Sequence, residues 1–130
     1  MHVINDYRWQ NKVILVVEDD NINYQYMEAL LKATGIEIIH AKTGEEAVNL
    51  CQTIDKIDLV LMDIQLPFMS GHKATQIIKS FRKDLPIIAQ TAYVLNDDRN
   101  KSLEAEYSHY ISKPIDPEEL YSIISKCINR

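Results

Sequence analysis

A chain of 130 residues is long enough for one domain with a real core and too short to hold a sensor and an output module together. Its formal net charge of −5 argues against direct nucleic-acid contact, and 46% hydrophobic with 25% charged residues is the mixture of a folded domain, not a disordered one. No apolar run can span a bilayer and residues 1–10 lack a signal-peptide centre, so no membrane contact by this domain and a cytoplasmic location are expected.

Residues 1–11 carry Tyr7 and Trp9 on a short polar tail, which reads as a linker or loosely docked arm, with a lid over the sheet edge as the alternative; the domain proper is expected over 12–130. A first strand over 12–17 runs into Glu18, Asp19 and Asp20. The helix after it is assigned the apolar stripe Ile22, Tyr26, Ala29, Leu30 and Ala33 and an end at Gly35. A second strand spans 37–41, and Thr43 with Glu46 forms a capping box before the stripe Ala47, Val48, Cys51 and Ile54. The third strand, 58–62, ends at Asp63, and Ala74, Ile77, Ile78 and Phe81 mark the third helix. The fourth strand, 86–90, ends at Thr91, and a helix over about 97–107 has so thin an apolar face that it is expected to be the least anchored. The fifth strand, 110–112, ends at Lys113, and Asp116 with Pro117 and Glu119 caps a last helix striped by Leu120, Ile123, Ile124 and Cys127. Cys51 and Cys127 read as core thiols, and His2, His40, His72 and His109 are scattered without ligand spacing.

Strands that are apolar throughout and alternate with helices are buried on both faces. The expected fold is therefore a three-layer α/β domain, a five-stranded parallel sheet of order 2-1-3-4-5 with helices on both faces. In such a sheet the carboxyl ends of the strands share one edge, so Glu18, Asp19 and Asp63 meet there. Two carboxylates about 4 Å apart repel by about 4 kcal/mol at an effective dielectric near 20, and a divalent cation relieves this. Mg2+ suits carboxylates, water and a backbone carbonyl, for which Gln65 is placed. Thr91 supplies a hydroxyl and Lys113 a long-armed ammonium, completing the parts for phosphoryl transfer to an aspartate. An Mg-dependent phosphatase is a second reading, but its acid would fall at Gln65, and a flavin-binding module is a third, but Glu18, Asp19 and Asp20 would repel the phosphate.

The segments ILVVEDD (14–20), LVLMDIQLPFMSG (59–71), PIIAQTA (86–92) and YISKPID (110–116) resemble the receiver domains of two-component response regulators, over about residues 12–128. The resemblance implies the flavodoxin-like sheet, Glu18 and Asp19 as the metal pair, Asp63 as phosphoacceptor, and Thr91, Ala92 and Lys113 around the phosphoryl group. It also implies Tyr110 as a switch aromatic, a cis bond before Pro114, and Gln65 and Tyr93 as residues that tune the phosphoryl lifetime, with bulky Tyr93 favouring a long one. By the same resemblance a phosphohistidine of a histidine kinase or histidine phosphotransfer protein donates to Asp63 with Mg2+, Mn2+ being able to substitute. Such a domain turns over no outside substrate. Thr91 then moves inward and Tyr110 follows, altering the surface of the fourth predicted helix, the fifth strand and the last helix, through which a homodimer can form. Asp20-Asn21-Ile22-Asn23 is similar to receivers of hybrid sensor kinases, and the short length favours a piece of such a kinase or a stand-alone relay over a DNA-binding regulator. Two departures are Leu66 where methionine is usual and Glu106 where a helix-ending glycine is common.

Overall fold

The computed structural model describes residues 7–92 and 107–128. Tyr93, Glu106 and all but the last residue of the helix expected over about 97–107 lie outside the described residues. Five strands, β1 (Val13–Val17), β2 (Glu37–Ala41), β3 (Leu59–Asp63), β4 (Ile87–Thr91) and β5 (His109–Ser112), pair in parallel in the order β2-β1-β3-β4-β5. Each expected strand is met to within one residue at either end, because runs of β-branched and apolar residues with no polar face have few other places to go.

The described helices are α1 (Asn21–Lys32), α2 (Gly44–Thr53), α3 (Gly71–Phe81) and α4 (Pro117–Ile128). Each begins on a side chain that satisfies an otherwise unpaired N–H: Asp20 accepts from Ile22 N at 3.1 Å, Thr43 from Glu46 N at 3.0 Å, Ser70 from Lys73 N at 3.2 Å and Asp116 from Glu119 N at 2.9 Å. The Glu46 carboxylate of the expected capping box accepts from Lys42 N at 2.6 Å, one residue before the cap. Gly35 follows α1 with φ +79°, a conformation that costs a side-chain-bearing residue about 1 kcal/mol.

Strand alternation divides the core in two. Ile14, Val16, Leu59, Leu61, Ile88 and Ile111 face α1 and α4, where they meet Met27, Leu31, Leu120 and Ile124. Leu15, Val17, Val60, Met62, Ile87 and Ala89 face α2 and α3, where they meet Ala47, Cys51, Ala74 and Ile78. Both cysteines are buried and neither forms a disulfide, and burial pushes the Cys51 thiol up to about 11.

The expected stripe of α1 is a correction. Met27 and Leu31 are its buried residues, with Tyr24 and Leu30 packed at the margin, while Ile22, Tyr26, Ala29 and Ala33 are exposed. Apolar residues surround this helix, so one position of phase, or about 100° of rotation, is left for the core to decide. Leu31 and Ile36, with Trp9, belong to the same packed cluster and fix that rotation. Trp9 is 4% exposed, its N–H donates to Thr34 O at 2.8 Å, and its ring lies 5.2 Å from Tyr7 and 6.4 Å from Tyr121.

Candidate functional site

At the carboxyl-terminal edge of the sheet, β1 delivers Glu18 and β3 delivers Asp63, each with 1% exposure, and Asp19 stands beside them in solvent. One carboxylate oxygen from each of the three lies within 4.8 Å of the others. Position follows from the sheet: β1 and β3 are neighbours, and the alternation that points Val16 and Leu61 toward α1 points Glu18 and Asp63 the same way. Neither acid is left bare. Asp63 Oδ1 accepts from Gln65 N at 2.9 Å and Oδ2 from Lys113 Nζ at 3.3 Å; Glu18 Oε2 accepts from Asp20 N at 3.1 Å.

Lys113 follows β5, beyond β4, and its length closes the gap to both acids, with Nζ 3.3 Å from Asp63 and 3.8 Å from Glu18. Its backbone N–H donates to Thr91 O at 2.9 Å, and the bond to Pro114 is cis. One ammonium against two buried carboxylates leaves the centre short of positive charge. Burial first, and then the Asp63 charge, pushes Glu18 up to about 7, against the Asp20 N–H and Lys113, which pull it down. The donors are all oxygen atoms and converge, which fits a hard divalent cation such as Mg2+.

A tight seat holds the loop after Asp63. A Cβ on Gly71 would overlap Asp63 O and stand 2.7 Å from Ile64 Cα, so only glycine lets α3 start this close to the strand end. Gly71 N donates to Ile64 O and Ile64 N to Gln90 O, both at 3.0 Å, tying that loop to α3 and to β4.

Thr91 ends β4, buried, on the α2 and α3 face of the sheet, with Ala92 exposed after it. Tyr110 lies on the same face in β5, half-buried, its ring 5.8 Å from Tyr107 in an edge contact. Sequence-nominated residues therefore gather at one edge: Glu18, Asp19, Asp63, Gln65 and Lys113 around the carboxylates, Thr91 and Ala92 at the neighbouring strand end, and Tyr110 two residues back on the next strand. Gln65 meets Asp63 through its N–H; its carbonyl was the expected contributor.

Two residues escaped the sequence reading. His40 donates through Nε2 to Glu18 O at 2.8 Å and stacks on Tyr24 with ring centroids 3.6 Å apart, holding the chain at the acidic turn. Gln90 reaches Glu18 Oε1 through Nε2 at 3.4 Å. Its signal was present in the sequence as the one amide in an otherwise apolar run.

Comparisons with known proteins give the family and the fold. The family described as response regulator receiver domain matches residues 14–125. Hybrid signal transduction histidine kinase I of Dictyostelium discoideum is 36% identical over 120 residues, which cover 86% of this chain and only 7% of that kinase. The receiver domain of sensor histidine kinase PA1611 from Pseudomonas aeruginosa PAO1, solved with magnesium in its active-site cleft, superposes with a TM-score of 0.85 at 34% identity over 92% of this chain and 98% of that one. The receiver domain of Ssk1 from Saccharomyces cerevisiae, solved in complex with the histidine phosphotransfer protein Ypd1, gives 0.84 at 30% identity over 91% and 89%. The chain belongs to the response regulator receiver domains of two-component signalling.

Proposed function

We propose that Asp63 is the phosphoacceptor of this receiver domain and takes its phosphoryl group from a phosphohistidine with Mg2+ held by Glu18, Asp19 and Asp63. The convergence of three carboxylates with the Lys113 ammonium at one sheet edge carries this reading. A bound Mg2+ supplies charge neutralisation and in-line positioning of the phosphoryl oxygens. An Asp63 oxygen attacks phosphorus, the P–N bond breaks, and its electron pair returns to the donor imidazole. Lys113 stays beside Asp63 and balances the charge added there. Gln65 N–H keeps the Asp63 carboxylate from rotating. The Gln65 carbonyl completes the metal ligands, and Mn2+, another oxygen-seeking divalent ion, can replace Mg2+.

Thr91 and the Ala92 N–H take the phosphoryl oxygens, and Tyr110, on the same face as Thr91, follows the hydroxyl inward. This biases a two-state equilibrium of the surface around β5 and α4, the surface offered to partners. Phosphoryl lifetime depends on Gln65 and Tyr93. The donor is a histidine kinase or a histidine phosphotransfer protein, supported by the latter's presence with the similar yeast receiver. Neither a small-molecule phosphatase nor a flavin carrier is supported.

Incubation with Mg2+ and acetyl phosphate, read by intact-protein mass spectrometry, should add one phosphoryl group, and Asp63→Asn should abolish it. Labelling of Asp63→Asn at the wild-type level, or steady turnover of phosphate monoesters, would overturn the assignment.

A further inference from the structure

We propose that Gln90 is a positioning residue for the acidic centre, its side-chain amide fixing the Glu18 carboxylate in the orientation that lets Glu18, Asp19 and Asp63 converge. The inference rests on the metal site proposed above.

Alternation along the strands puts Ile14 and Val16 of β1, Leu59 and Leu61 of β3 and Ile88 of β4 on the face toward α1 and α4. One step further along that face come Glu18, Asp63 and Gln90, a buried polar row in which each residue is 1% exposed. Gln90 pairs in register with Asp63, and its own carbonyl anchors the loop after Asp63 through Ile64 N at 3.0 Å. Its Nε2 reaches past that strand to Glu18 Oε1 at 3.4 Å. Glu18 is thus held by donors from three elements: Asp20 N at 3.1 Å on Oε2, Gln90 at 3.4 Å and Lys113 at 3.8 Å on Oε1.

The choice of a neutral donor matters. Lys113 stands closer to Asp63, at 3.3 Å, so it cannot serve Glu18 alone. A second cation would hold Glu18 equally well but would cancel the negative charge that attracts Mg2+. An amide orients the carboxylate and leaves its charge available. Packing alone does not account for glutamine here, because its Oε1 is buried with no hydrogen-bond partner among the described residues, a poorer core group than an isosteric methionine. The residue also lines a cavity of about 50 Å³ between α1 (Asn23, Tyr26, Met27) and the loop after β5 (Lys113, Pro114, Ile115).

The test is calorimetric titration of unphosphorylated protein with MgCl2 at fixed pH and ionic strength, wild type against Gln90→Met. Affinity for Mg2+ should fall about 10-fold or more, as for other residues that orient a metal ligand, while the melting temperature in EDTA stays the same or rises. Mg2+ affinity within about twofold of wild type, with the fold intact, overturns the proposal. If Gln90→Met unfolds, the Gln90 side-chain amide of the wild type is read by 15N NMR. Slow exchange with water and a shift on adding Mg2+ support the proposal. An amide that exchanges as fast as that of exposed Gln52 and ignores Mg2+ overturns it. A wild-type protein that binds no Mg2+ would instead sink the metal site, so the two failures are distinct.

Discussion

At the amino-terminal edge of the sheet, Arg82 donates to four carbonyls, Cys51 O at 3.3 Å, Ile54 O at 3.0 Å, Asp55 O at 3.0 Å and Ile57 O at 2.9 Å. At the carboxyl-terminal edge, Glu18 and Asp63 share one lysine, and Glu18 is pushed up to about 7. One edge spends a charged side chain on closing backbone valences left by the end of α2; the other leaves like charges together. Stability and reactivity are thus lodged at opposite ends of the same strands, as expected when a rigid scaffold positions a strained site.

Arg82→Ala gives the widest separation of the two edges. It uncovers several carbonyls at once and should cost about 3 kcal/mol in urea unfolding while leaving Mg2+ affinity unchanged. A parallel loss of Mg2+ binding would show that the edges are coupled. The reverse experiment varies pH. Glu18 has its folded pKa raised from 4.5 to about 7, so between those values the folded state binds more protons than the unfolded one. Metal-free protein should therefore lose about 2 kcal/mol as pH rises through that window, most of it recovered in saturating MgCl2. Denaturant curves in EDTA that are flat from pH 4.5 to pH 7 would contradict it. Asp63→Asn removes one of the repelling partners. In EDTA at neutral pH it should raise stability by about 1 kcal/mol and shallow the pH dependence, measured the same way. The smallest change concerns Phe68, which is 96% exposed with φ +68° in the loop between Asp63 and α3. Asparagine tolerates that backbone conformation better, so Phe68→Asn should gain about 0.5 kcal/mol without touching Mg2+ affinity.

Much of this was legible because strand order converts into distance. Once five apolar runs are read as one parallel sheet, the residues after each run must share an edge, and Glu18, Asp63 and Lys113 do. Rotation of α1 was not legible, since Tyr24, Met27 and Leu31 compete with Ile22, Tyr26 and Ala29 as an apolar face. The choice is made by the packed cluster that Met27 and Leu31 join with Trp9, Ile36 and Leu120, much of it distant in sequence. Trp9 is similar: its partner Tyr121 lies at the other end of the chain, and no local periodicity announces a ring contact of that kind. Gln90 was hidden for another reason, because a strand of high apolar content absorbs one amide without changing its class.

Position 71 sets a mechanical tolerance. A methyl group there would have to push the Asp63 carbonyl back by about 1 Å to restore an ordinary contact, and misplacement of about 1 Å at a reacting group is enough to cost two orders of magnitude in rate. The aim of Asp63, the proposed phosphoacceptor, is thus calibrated by a hydrogen atom at the start of a neighbouring helix, and a tilt of the first turn of α3 would be geared to that carboxylate.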